Sequence, residues 1–232
     1  MSSVTQSWSI WSDLVQLSGS ILVIVGALLP VVNPVGDAPI FLRMTSGCDE
    51  STRSVLAQRI AFYSFIVVLI SLLLGSFVLL LFGLSIPVVQ VAGGAVVCAL
   101  SWNVLADNPK STDVILDSAH AKVIAQGRAF SPLTLPLTID AGAISVAITA
   151  GANHAHTFKY AIIQLFAAII GAGIIALSVL LTYRYAARVG KRIGHTGMMV
   201  VVRLSAFIML CIGVGIAWNG VKSLLGEIGI PH

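Results

Sequence analysis

The chain has 232 residues, of which 57% are apolar and only 9% charged. A soluble domain carries about 25% charged residues, so a water-soluble enzyme or binding module is excluded and a polytopic membrane protein is expected. The net charge of +4 does not point to nucleic acid, because the cations sit between apolar runs with no aromatic residues interleaved.

Met1–Gln16 is polar and lacks a basic stretch before the apolar run, so it does not read as a cleaved signal peptide. The first span is expected over 18–44 and should act as its own insertion signal. It is interrupted by Val32-Asn33-Pro34-Val35-Gly36-Asp37-Ala38-Pro39. Each proline removes a backbone donor and clashes with the preceding turn. Asn33 suits an N-cap and Pro34 the first position of a new half-helix. As straight helix, 18–44 would reach roughly 40 Å, beyond the ~30 Å hydrocarbon core, so a broken or re-entrant segment is expected. Backbone freed by such a break is tolerated only against protein or a water-filled cavity. Asp37 is costly at that depth unless it faces one.

Further spans are expected over 60–82, 87–106, 131–151, 158–183 and 198–225, six in all. In the second, Ser64, Ser71 and Gly75 share a helical face. In the third, Gln90, Gly93, Gly94 and Ser101 do the same, and Trp102-Asn103 stand near its end. The polar segment 107–130 is expected as a connector. The fourth span begins Ser131-Pro132 and is interrupted by Pro136, Thr138, Asp140 and Gly142. The fifth presents Gln164, Ala168, Gly171, Ile175, Ser178 and Thr182, small and polar residues suited to helix contacts in lipid. The sixth carries Arg203 near its start and Trp218-Asn219 near its end.

Cations gather in three connections: Arg43, Arg53 and Arg59; Lys110, Lys122 and Arg128; and Arg184, Arg188, Lys191 and Arg192. By the positive-inside rule these are cytoplasmic and both termini lie outside. Cys48, Cys98 and Cys211 have neither metal nor disulfide spacing and read as packing residues. His154, His156 and His195 fall at loop positions and make no metal site. No Ser/His/Asp arrangement, phosphate-binding loop or zinc motif occurs, so neither an enzyme nor a cofactor is expected.

The two halves resemble each other. Pro30-x-x-x-Pro34 mirrors Pro132-x-x-x-Pro136, and Trp102-Asn103 mirrors Trp218-Asn219. Three spans per half make the second copy enter from the opposite side. The expected architecture is therefore all-α: one transmembrane domain over 1–232, built of two inverted three-helix repeats (about 18–106 and 131–225), each with its first helix interrupted.

Several blocks carry a family resemblance. Asn33-Pro34-Val-Gly36-Asp-Ala-Pro39-Ile-Phe41 resembles the Asn-Pro-x-Gly-x-x-Pro motif of the MarC family of inner-membrane proteins. Phe82-Gly83-Leu84-Ser85-Ile86-Pro87 with Ala92-Gly93-Gly94, the block Pro132-Leu-Thr-Leu-Pro136…Gly142-Ala-Ile144, and the run from Arg203 to Leu210 are similar to its other blocks. The resemblance implies a six-span inner-membrane protein related to the lysine-exporter superfamily, and a transporter of small neutral amino acids. This chain departs from the family pattern at two places. Asp140-Ala141 stands where the family has Gly-Pro, and Asp37 where it has an uncharged residue. A carboxylate in each interruption points instead to a cationic or proton-linked substrate.

The candidate substrate-binding residues are Asn33, Pro34, Gly36, Asp37, Gln90, Pro136, Thr138, Asp140, Gly142 and Arg203. Amide groups at a half-helix N-terminus can receive a substrate carboxylate, and Asp37 or Asp140 its ammonium. Either carboxylate can instead carry a proton, or Asp37 can serve only to stabilise its half-helix. Thr138 and Gln90 either line the cavity or make interhelical hydrogen bonds. Arg203 snorkels, pairs with a carboxylate such as Asp140, or contacts the substrate directly. The expected function is secondary transport of a small polar metabolite, with an amino acid favoured. An export pore for another solute and a non-transporting scaffold are the alternatives. The expected partners are the solute, the bilayer and a coupled proton.

Overall fold

The break at Asn33 divides the first apolar run into two helices, α1 (Ser2–Val32) and α2 (Pro34–Met44). In the computed structural model, which describes residues 2–106, 133–152 and 158–227, α1 begins well before the expected start at residue 18 and runs through Pro30 without stopping. Then come α3 (Glu50–Leu81) and α4 (Ile86–Ala106). A wide turn over Leu133–Thr138 leads to the short α5 (Ala141–Gly151). The last element, α6 (Phe158–Glu227), is bent at Gly194 into two arms. The connector 107–130, Ser131-Pro132, His154 and His156 lie outside the described residues.

Among the described residues, five segments are long and apolar enough to cross a membrane: Trp11–Met44, Glu50–Leu81, Ile86–Ala106, Ala161–Gly194 and Thr196–Gly226. The expected fourth span, 131–151, differs. Its helix α5 has 11 residues, which at 1.5 Å each reach about 16 Å, roughly half the hydrocarbon core. Leu135 explains part of this. It precedes Pro136, a position driven out of helical conformation, and it is extended at φ −112°, ψ 124°. The chain resumes a helix only once Asp140 caps it.

The basic stretch 184–192 also differs from expectation, since it is helix rather than loop. The break in α6 comes just beyond it, at Gly194, with φ 73° and ψ 175°, a region essentially reserved for glycine. Likewise, Arg53 and Arg59 lie on α3 rather than in a loop.

Close approach between helices is set by small residues. A Cβ on Gly94 would stand 2.6 Å from the Gly213 carbonyl oxygen, and one on Gly220 2.6 Å from that of Pro87. So α4 lies backbone to backbone against the second arm of α6. Gly93, the neighbour of Gly94, faces Ser145 of α5 instead, so the glycine pair serves two partners rather than one face. Ser64, Ser71 and Gly75 are all buried in α3, and Ile148 of α5 occupies the space a Gly75 side chain would need.

The first arm of α6 buries Ala168, Gly171 and Ile175 as the sequence implies. Its buried face then continues through Val179, Tyr183 and Ala186, not through Ser178 and Thr182, which are half-buried. Ser178 returns its hydroxyl to the Ile175 carbonyl (2.7 Å). Trp102 and Trp218 are exposed, as residues of an interfacial belt would be.

Candidate functional site

Asn33 is the origin of the site. Among the described residues it is the one non-glycine with positive φ (43°). Proline at 34 disfavours ordinary helical geometry for the residue before it, and asparagine tolerates the left-handed alternative. Its side-chain Oδ1 accepts from the Gly36 N–H (3.2 Å), and Pro34 occupies the first helical position. Gly36 must be glycine: a Cβ there would stand 2.5 Å from Ser205 Cβ and would run into the Asn33 amide. The second arm of α6 is thus drawn against the start of α2.

Asp37 follows in the first turn of α2 and is 9% exposed. Its carboxylate takes no hydrogen bond from any other described residue. Asp140 lies within reach of its charge. Asp140 is 6% exposed and is the N-cap of α5, its Oδ1 accepting from the Ala143 N–H at 2.7 Å. Two helix starts therefore come close, one capped by an amide and the other by a carboxylate. Each N-terminus carries partial positive charge, which favours an anion beside it. Asp140 makes direct use of this. Asp37 leaves both carboxylate oxygens open to a cationic group or a proton.

Thr138 ties the turn before α5 to the first arm of α6. Its Oγ1 donates to the Leu133 carbonyl (2.8 Å) and lies 2.9 Å from the Tyr183 hydroxyl. A threonine hydroxyl has one proton to give, so Tyr183 is the donor in the second bond. Tyr183 is fully buried in the neighbourhood of Asp37. Its ring stacks on Phe41 of α2, with centroids 4.5 Å apart and planes 11° from parallel. Phe41 stands one helical turn beyond Asp37, on the same face. The aromatic pair thus lies beside the two helix starts.

Of the residues expected from sequence, Asn33, Pro34, Gly36, Asp37, Thr138 and Asp140 converge here. Pro136 lies in the turn leading to it. Gly142 is buried, with the Val97 side chain where its own would be. Two residues stand apart. Gln90 donates to Thr149 Oγ1 (3.4 Å), nine residues along α5 from Asp140 and so about 14 Å away along the helix axis. Arg203 is exposed and makes no bridge to Asp140. Three contributors were not foreseen: Tyr183, Phe41 and Ser205. Tyr183 is the last residue of the expected fifth span, and the small and polar face there passes through Ser178 and Thr182 instead. Continuing the period from Ala168, Gly171 and Ile175 in steps of four places it on the buried face. Among the described residues no group of three His, Cys, Asp or Glu side chains could hold a metal ion.

A helical bundle that keeps two broken segments and two carboxylates inside its apolar core belongs among integral membrane proteins. The chain is a member of the MarC family of integral membrane proteins, whose pattern matches residues 10–225. It is 30% identical over 204 residues to the membrane protein YvbG of Bacillus subtilis, covering 85% of this chain and 92% of that one. It is 27% identical over 197 residues to the membrane protein YhcE of Escherichia coli (85% and 89%). It is 26% identical over 206 residues to the inner membrane protein MarC of Salmonella typhimurium (85% and 92%). No solved structure matches it.

Proposed function

We propose that this protein is a secondary transporter of a small polar metabolite, an amino acid by preference, across the cytoplasmic membrane. One observation carries the reading. Asp37 is a buried carboxylate with no hydrogen-bond donor among the described residues, and it is set between two helix N-termini. Removing a charge from water without a partner is expensive, by more than the ~0.3–1 kcal/mol a helix N-terminus commonly returns, which supports a role beyond stabilising the half-helix. An amino acid fits the charge pattern. Its carboxylate meets the amides at a half-helix start, and its ammonium meets Asp37. Asp37 and Asp140 also form a pair able to hold and release a proton, which supports coupling to a pH gradient.

The architecture we assign is six crossings in two inverted three-helix repeats within one domain, with the turn at 133–138 and α5 together forming the fourth crossing. The pairing of a broken first helix in each half supports it, as does the recurrence of Trp-Asn at 102–103 and 218–219. The clustering of Arg184, Arg188, Lys191 and Arg192 supports a cytoplasmic position for the 194 bend and an outside position for both termini. The name of the Salmonella relative supports the inner membrane.

The test is a solute panel with purified protein in liposomes, with and without a pH gradient. Saturable counterflow of at least one amino acid is expected. Flux that rises linearly with concentration would identify a pore instead, and no flux of any solute would leave a scaffold.

A further inference from the structure

We propose that the cleft between the first turn of α3 and segment 184–188 of α6 is a binding site for a phosphate group, borne by an anionic lipid headgroup or by free phosphate. The cleft has a volume of about 290 Å³, against the ~30 Å³ share of one water molecule. Arg53, Arg184 and Arg188 line it, against one carboxylate, Glu50. Three cations to one anion favour an anionic guest and disfavour an amine. The cleft is separate from the carboxylate site and uses none of its residues.

Arg53 is the fixed part. Its Nε donates to Thr45 Oγ1 (3.2 Å), and its Nη2 to the carbonyls of Thr45 (3.0 Å) and Cys48 (3.1 Å). Thr45 is itself buried and bonded to the Phe41 carbonyl (2.7 Å). These bonds occupy three of the five guanidinium N–H groups and leave Nη1 for a guest. Holding the side chain in advance removes the ordering cost a guest would otherwise meet. Arg184 and Arg188 are one turn apart on the same helix face. The Tyr185 ring lies 5.4 Å from the Arg188 guanidinium carbon, which restrains that group too.

The Arg188–Glu50 pair does not block the site. Its atoms are 4.0 Å apart and the side chains are 71% and 83% exposed, so the bond is worth little and yields to a doubly charged or bidentate ligand. Ser54 adds a hydroxyl to the lining. Basic pockets between membrane helices commonly take phosphorylated headgroups.

Native mass spectrometry of the full chain in an uncharged detergent tests this, with dioctanoyl-phosphatidylglycerol and inorganic phosphate as probes. Saturable one-to-one binding of the lipid is expected, weakened at least tenfold in the double variant Arg184→Gln/Arg188→Gln and unchanged in Lys222→Gln. Both arginines are exposed, so folding should survive. Arg188→Gln alone, with a loss of about threefold, is the reserve variant. Displacement of the lipid by inorganic phosphate at millimolar concentration assigns the site to free phosphate, and failure to displace it assigns the site to the headgroup. If neither probe binds saturably, or if the arginine variants bind as the wild type does, the proposal is wrong.

Discussion

Asp37 and Asp140 look alike in the sequence but hold different positions in the fold. Asp140 is satisfied by the Ala143 amide, whereas Asp37 has no donor among the described residues. Their isosteric variants should therefore behave differently. Asp37→Asn removes a buried, unpaired charge, so the thermal midpoint of the purified protein should stay or rise. A fall of several degrees would make Asp37 a structural residue. Asp140→Asn keeps a good helix cap, whereas Asp140→Ala loses it at about 1 kcal/mol. A stability gap of that size between the two variants is expected in thermal unfolding, with Asp140→Ala the weaker. Tyr183→Phe deletes the proton given to Thr138 but leaves the Phe41 stack. The expected cost is about 1 kcal/mol, and a larger loss would mean that the hydroxyl holds more than Thr138.

At the scale of elements, both interruptions are legible from their prolines, and the Asn33 cap with them, because proline and capping chemistry act within a few residues; the cap at Asp140 emerges only in the fold. The length of α5 is not legible. The apolar run over 131–151 reads as a crossing, whereas the helix resumes only at Ala141 and packs on α3. Gly151 marks that packing: a Cβ there would run into the Leu72 carbonyl of α3, and backbone cannot step aside as a side chain can. Gly151→Ala should cost about 1–3 kcal/mol by overpacking, read as an earlier thermal transition. Gly194→Ala should cost a similar amount for a different reason. It has open space around it, so any loss must come from its backbone geometry, about 1–3 kcal/mol. Equal stability of Gly194→Ala and wild type would show that the bend can relax.

Across the whole molecule, composition makes the membrane legible, and spacing makes most of the helix faces legible. The phase of the face on α6 drifts beyond Ile175, because the small and polar residues at 178 and 182 compete with the true continuation through Val179 and Tyr183. Gln90 and Arg203 illustrate a second limit. Polar residues in apolar runs attract a functional reading, yet Gln90 bonds to Thr149 and Arg203 faces outward. Convergence is a long-range property: Ser205 meets Gly36 across most of the chain, and no local pattern announces it. What the fold accomplishes is to bring two helix starts, from segments about a hundred residues apart, to one buried pair of carboxylates. If that convergence is the transport site, charge at Asp37 must matter to flux and not to folding. The most direct measurement is amino-acid counterflow in liposomes by wild type and Asp37→Asn, each first shown to be folded and inserted in equal amount. Loss of at least nine-tenths of the counterflow in the variant is expected. Undiminished counterflow by Asp37→Asn, over the same range of concentration and pH, would contradict a site built on this carboxylate.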